Sequence, residues 1–137
     1  MASDPIHIRI PAHPANLKQI RAVTSKVAAA AGLAEKEAGS VILAVDEACS
    51  NIIKHCCKDD PKRSIDVTIT FDGDSLCFTL VDNGKPFDID FIKSRDLLEI
   101  KPGGLGVHII RQVMDVVEYT HTPEGLNQVK LIKKITL

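Results

Sequence analysis

The segment Val41-Ile-Leu-Ala-Val-Asp-Glu-Ala-Cys-Ser-Asn-Ile-Ile-Lys-His55 constrains this chain more than any other. Read at helical period, Ala38, Val41, Ile42, Val45, Cys49, Ile52 and Cys56 form one apolar stripe, which a helix must bury against a second layer. Beside it, Glu47, Asn51 and His55 recur at steps of four, so their side chains stack on a neighbouring strip of the same helix. An acid and an amide held on a rigid helix can do chemistry that a loop would hold less firmly. Taken alone, such a strip is also what a solvated helix face looks like, and its meaning depends on the rest of the chain.

A chain of 137 residues reads as a single domain, residues 1–137, able to bury roughly two-thirds of its unfolded surface. Its net charge of −1 leaves no electrostatic footprint for nucleic acid or an anionic membrane. Four Phe, one Tyr and no Trp also argue against a base-stacking surface. The first ten residues carry neither a basic stretch nor an apolar core of signal-peptide type, and no apolar run approaches the ~20 residues that span a bilayer. Cys49, Cys56, Cys57 and Cys77 lack framework spacing and read as small apolar residues of a reducing compartment, hence a cytoplasmic protein. The cluster His55-Cys56-Cys57 does not read as a zinc site, because adjacent helical cysteines diverge and no C-x-x-C partner exists.

Residues 6–10 alternate apolar and polar and predict a half-buried strand. Pro14 suits the first turn of a helix that turns Leu17, Ile20, Val23 or Thr24, Val27, Ala28 and Ala31 inward, with Gly32 as its left-handed cap. The second helix is expected from about Glu35 to Lys58, ended by Asp59-Asp60-Pro61. Ile65–Phe71 and Leu76–Leu80 alternate around Gly73-Asp74 and predict a hairpin that delivers Asp82 at its end. Residues 88–102 read as a loop, with a short helix near Asp90–Ser94 or Leu97–Ile100. A third helix follows Gly103-Gly104-Leu105-Gly106, its inner face Leu105, Ile109, Ile110, Val113 and Met114, and Asp115–His121 and Gln128–Ile135 close the chain as a hairpin. The order β-α-α-β-β-loop-α-β-β implies an α+β sandwich: a mixed, mostly antiparallel sheet with its helices on one face.

Two further motifs carry chemistry. In Asp82-Asn83-Gly84-Lys85-Pro86-Phe87-Asp88, a carboxylate at a strand end can accept from an exocyclic amine, while glycine lets a flat ring approach the backbone. Read without context, the same residues are an ordinary Asn-Gly turn. Gly103-Gly104-Leu105-Gly106 exposes backbone N–H groups at a helix N-terminus, where phosphate is the natural guest, though it is neither a Walker A motif nor a dinucleotide fingerprint.

Taken in order, the three motifs resemble the anti-sigma-factor serine-protein kinases of the histidine-kinase-like (GHKL) ATPase superfamily. Glu47-Ala-Cys-Ser-Asn51 with His55 resembles that superfamily's N box. Asp82-x-Gly84-x-Pro86-Phe87-Asp88 resembles its first glycine box, and Gly103-Gly104-Leu105-Gly106 running on to Met114-Asp115 its second. The resemblance covers nearly the whole chain and implies a two-layer α/β sandwich of the Bergerat type. It further implies that Asn51 coordinates Mg²⁺ on the phosphates of ATP and that Asp82 accepts from the adenine amino group, with Gly84 admitting the base. Gly104, Leu105 and Gly106 would cradle phosphate. Glu47 would be the general base for a serine hydroxyl on an anti-anti-sigma (STAS-type) partner, and a sigma factor and a second copy of the chain are the other implied partners. His55 reads as a packing or helix-end residue. Pro102 stands where some relatives carry a basic side chain, and whether Lys93, Arg95 or Lys101 replaces that charge is left open by the sequence. Two alternatives stand beside this reading: a non-catalytic ATP-binding anti-sigma module, and the detached ATPase domain of a larger signalling protein.

Overall fold

The structure, a computed structural model, describes residues 4–90, 92 and 105–135, with side chains from residue 109 onward in the last segment. Period-two alternation becomes strand where the sequence carries it. β1 (Ile6–Pro11), β2 (Ser64–Phe71), β3 (Ser75–Asp82), β4 (Val116–His121) and β5 (Asn127–Lys134) form one sheet in the order β1-β2-β3-β5-β4. Every neighbouring pair is antiparallel, a narrower outcome than the mixed sheet expected. The helical connection does return β4 parallel to β3. The closing hairpin then inserts β5 between them, so no parallel pair is hydrogen-bonded among the described strands.

The register lines up three rows across the helix-facing side of the sheet. Ile6, Ile69, Phe78, Leu131 and Val117 form one; Ile8, Val67, Leu80, Val129 and Tyr119 the next; Ile10, Ile65, Asp82, Asn127 and His121 the third. Apolar side chains fill the first two rows and are buried in the middle strands, which provides the sheet's half of the core. In the third row the inner layer turns polar.

The helical layer supplies the other half. A 3-10 turn, Pro14–Asn16, leads into α1 (Leu17–Ala30), which buries Leu17, Ile20, Thr24, Val27 and Ala28. Gly32 takes φ +89° while Leu33 N–H donates to the Ala28 carbonyl at 3.2 Å, the left-handed cap expected of it. α2 (Glu35–Asn51) packs between α1 and α3 (Leu105–Val113), burying Val41, Ala44, Val45, Ala48 and Cys49. Ile110 and Met114 are buried beneath α3, whose last turn is steadied by Lys133 Nζ on the Val113 carbonyl at 3.2 Å.

The second helix departs from the continuous α-helix expected to Lys58. After Asn51 it widens into a π-helical turn, Ile52–Cys56, in which Cys57 N–H donates to the Ile52 carbonyl five residues back at 2.9 Å. Lys58 and Asp59 then turn left-handed, at φ 53° and 58°, and end it. Ile52, Ile53, Cys56 and Cys57 are all buried in and just after this wider turn. His55 falls within this turn and is exposed, whereas Glu47 and Asn51 lie on α2 itself.

Thr24 resolves the choice left open on α1: it is 1% exposed, whereas Val23 is half-buried. Its Oγ1 is buried without a hydrogen-bond partner among the described residues. Replacing an unsatisfied buried hydroxyl by a methyl of the same shape removes a desolvation penalty. Thr24→Val is therefore expected to raise the unfolding free energy by about 1 kcal/mol, read from the urea midpoint at unchanged slope.

Candidate functional site

The site begins where the inner face of the sheet becomes polar. Asp82, the last residue of β3, is 1% exposed, and Asn127, directly opposite it at the start of β5, is 0% exposed. Asp82 Oδ1 accepts from Gly84 N–H at 2.9 Å and from Asn127 Nδ2 at 3.0 Å, with the Cys57 thiol at 4.0 Å. Its other oxygen, Oδ2, is equally buried and has no partner among the described residues. Burial pushes the Asp82 carboxyl above the usual carboxylate range, against the two hydrogen bonds that favour its charge. A buried acceptor left open costs free energy in the free chain and is satisfied by a donor brought from outside, such as an exocyclic amine.

The turn after Asp82 is fastened on both sides. Asn83 Oδ1 accepts from Ser64 N–H at 3.0 Å, and its carbonyl from Arg63 Nη1 at 2.7 Å. Lys85 N–H donates to the Cys56 carbonyl at 2.7 Å, tying the turn to the end of the second helix. Phe87 stacks edge-on against Tyr119, ring centroids 5.7 Å apart, and its carbonyl lies 3.2 Å from His121 Nε2.

Gly84 was expected to let a flat ring approach. The structure gives its missing side chain a different use. A Cβ there would sit 2.4 Å from the Cys56 oxygen and 2.6 Å from the Cys56 carbon. Glycine is thus required for the helix end to dock on the turn, and any ring must approach from the other side.

One turn back along the same helix, Glu47 and Asn51 are half-buried on one strip of α2. The neighbouring acid, Asp46, is taken by Arg21 of α1 at 2.8 Å, while among the described residues Glu47 and Asn51 carry no side-chain hydrogen bond or ion pair. The pairing of Asp46 thus separates two adjacent acids that sequence alone presents alike. The structure brings Asp82 and Gly84 together with the π-helical turn that follows Asn51, and packs α3 against α2. α3 starts at Leu105 and holds Gly106 in its first turn. Gly103, Gly104, Lys93, Arg95, Lys101 and Pro102 lie outside the described residues, as does the side chain of Leu105. Of the short helix expected near 90–94, the described residues hold the start, with Ile92 N–H on the Asp88 carbonyl at 3.1 Å.

Residues 10–133 match the family model described as the histidine kinase-like ATPase domain. The chain belongs to that family. It is similar to the serine-protein kinase RsbW of Bacillus subtilis strain 168, at 29% identity over 123 residues, 84% of this chain and 77% of that one. It is likewise similar to RsbW of Bacillus cereus strain B4264, at 30% identity over 131 residues, 88% of this chain and 79% of that one. Among solved structures it shares the fold of the RsbU and RsbW domains of Rv1364c from Mycobacterium tuberculosis, with a TM-score of 0.68 and 18% identity. That match covers 96% of this chain but 32% of the longer one, so this chain spans about a third of it. The two-layer sandwich with its helices on one face is the family's fold.

Sequence reasoning missed Asn127. The predicted last strand begins one residue later, at Gln128, yet the inward phase Leu131, Val129 extends back to position 127, where a polar residue is out of place in an apolar row. All four cysteines, read as small apolar residues, are free; Cys49, Cys56 and Cys57 are buried and Cys77 is half-buried. Burial pushes Cys57 to about 11 and Cys56 to about 12, so both stay protonated beside Asp82 at neutral pH.

Two outcomes follow for the free chain. Gly84→Ala forces the Cys56 carbonyl off the turn and is expected to cost about 1–3 kcal/mol in urea unfolding. Asp82 has a folded-state value raised above its unfolded one, so the folded chain holds the extra proton. Its contribution favours folding below the unfolded value and is lost as pH rises through the raised one. Asp82→Asn should therefore raise the neutral-pH melting temperature in the absence of ligand and flatten that part of the stability–pH curve.

Proposed function

We propose that this chain is an ATP- and Mg²⁺-dependent serine-protein kinase. The single observation that carries the reading is the buried Oδ2 of Asp82, open among the described residues, just before the turn tied to the end of the second helix. On that helix Glu47 and Asn51 have no side-chain partner among the described residues. The donor set fits a nucleotide. Oδ2 is acceptor-only when ionised, which suits the 6-amino group of adenine. Among the described residues no three His, Cys, Asp or Glu side chains converge to hold a metal. A divalent ion at the Asn51 side-chain oxygen would take its other ligands from phosphate oxygens and water, the coordination Mg²⁺ prefers. Bound there, Mg²⁺ would neutralise charge on the phosphates.

The residues then have distinct tasks. Asp82 accepts from the adenine amine, and Gly84 keeps the turn closed against the helix beneath it. Leu105 and Gly106, at the start of α3, together with the preceding Gly104 in sequence, would offer backbone N–H groups to phosphate. Glu47, left free because Asp46 is held by Arg21, takes the proton of the serine hydroxyl as its oxygen bonds to the γ-phosphorus and the bond to ADP breaks. The serine belongs to an anti-anti-sigma (STAS-type) protein, the relationship suggested by the resemblance and by the RsbW relatives named as serine-protein kinases. A sigma factor is the second partner, bound by a homodimer of this chain. No helix among the described residues is long and apolar enough to cross a membrane, and we place the reaction in the cytoplasm.

Glu47→Ala is expected to keep Mg·ATP affinity near that of the unaltered chain while lowering phosphate transfer to the partner serine by ~10²–10⁴, the usual worth of a general base; γ-labelled ATP and mass spectrometry of the partner measure it. Undiminished transfer would remove Glu47 from the mechanism, and tight Mg·ATP binding with no transfer by the unaltered chain would make it a binding module. Asp82→Asn, by contrast, should weaken Mg·ATP in calorimetry about 10-fold or more, the worth of a hydrogen bond to a charged group. Equal affinity would contradict the adenine assignment.

A further inference from the structure

Asn127 is a buried side chain that touches both the acidic end of β3 and the turn that follows it. Its Nδ2 donates to Asp82 Oδ1 at 3.0 Å and to the Lys85 carbonyl at 2.8 Å, while its Oδ1 accepts from Phe87 N–H at 3.0 Å. The orientation of the amide is dictated by these neighbours: two acceptors face the nitrogen and one donor faces the oxygen. All of its hydrogen-bonding capacity but one acceptor site is thus committed within the protein. Nothing in the packing along β5 asks for such a residue, because the inward positions that follow it on the strand, Val129 and Leu131, are apolar and buried.

We infer that Asn127 is a positioning residue for base recognition. The inference rests on the nucleotide reading of the site given above. A carboxylate at a strand end can turn about its Cα–Cβ and Cβ–Cγ bonds. The Asn127 amide and the Gly84 N–H take Oδ1 together and fix both turns, so Oδ2 alone is presented. Presenting one oxygen in one direction makes the site a reader: it accepts from a ring amine and repels a ring carbonyl in the same place. Preorganisation of this kind contributes affinity because the ordering is complete before the ligand arrives. The same amide holds the backbone on both sides of Pro86, so the carboxylate and the stem of the segment leading to the third helix keep a fixed relation.

The test compares Mg·ATP with Mg·ITP, whose base carries a carbonyl where adenine carries the amine, by calorimetry on the full chain. The unaltered chain should favour ATP by about 10-fold or more. In Asn127→Ala and in the near-isosteric Asn127→Leu, with folding checked by thermal unfolding without nucleotide, ATP affinity should fall about 10- to 100-fold. ITP affinity should fall far less, so that the ATP/ITP ratio collapses toward unity. Equal losses for the two nucleotides would reduce Asn127 to scaffold, and ATP affinity unchanged within about two-fold would remove it from recognition; either overturns the inference while leaving the nucleotide reading intact. An unaltered chain that binds neither nucleotide, or both alike, overturns the reading itself and the inference with it. Should neither variant fold, the unaltered chain decides: the Asn127 side-chain amide protons, followed by NMR, should exchange slowly before nucleotide is added and shift with ATP more than with ITP. Fast exchange in the free chain, or equal shifts, would overturn the assignment.

Discussion

The contact between the Cys56 carbonyl and the turn at Gly84 is the constraint on which the site depends. A helix lying across a sheet is ordinarily held by side chains, which tolerate sliding by a fraction of an ångström. Here backbone meets backbone: the carbonyl occupies the space where a Cβ would be, and the next N–H closes a hydrogen bond of 2.7 Å onto it. That contact fixes the end of the second helix against the end of the central hairpin. Glu47 and Asn51, one to two turns back on the same rigid helix, inherit a defined position relative to Asp82. The π-helical turn lies between Asn51 and this contact, and Cys56 and Cys57 are both buried at its end. Its position directly after Asn51 agrees with the tendency of such turns to occur at functional places in helices.

Two buried polar atoms stand without partners among the described residues, and they differ in kind. Thr24 Oγ1 lies in the inner face of the first helix, packed into the core, where its cost is borne by a surplus of apolar burial. Asp82 Oδ2 lies at the boundary of the apolar rows, beside a turn held by Asn83, Lys85 and Phe87, and its sister oxygen is fully satisfied. An acid held half-satisfied by its own fold is destabilised in a specific direction, toward a ligand that brings a donor. A stability cost of this sort at a site, surrounded by structure that holds it in place, is the usual form of the trade between stability and activity.

Much of this architecture was legible in the chain. Strict alternation in 64–71 and 75–82 left little choice but a hairpin, and Gly32 and Gly73 stand where a left-handed φ ends the preceding element, at +89° and +95°. Glu47, Asn51, Asp82 and Gly84 were singled out as a set because their spacing resembled a family pattern, and the fold sets the turn at Asp82 and Gly84 against the helical turn that follows Asn51. The π turn was not legible. Ile52, Ile53, Cys56 and Cys57 fit one face of a continued α-helix, so their spacing carries no signal for the wider turn. Asn127 was lost for a similar reason: a single asparagine after a turn reads as part of the turn until its partner across the sheet is known.

The sequence by itself determined the elements and their inward faces, since periodicity and turn residues act over a few positions and need no partner to be read. Tertiary structure decided which atoms those faces leave free. Whether Asp46 or Glu47 is available depended on where Arg21 of another helix reaches, and which oxygen of Asp82 stays open depended on an amide 45 residues further along the chain. The direction of the third row, from Ile65 through Asp82 to Asn127, came from strand order and register. These are long-range pairings, set by the packing of the whole sheet, and no local stretch of sequence contains them.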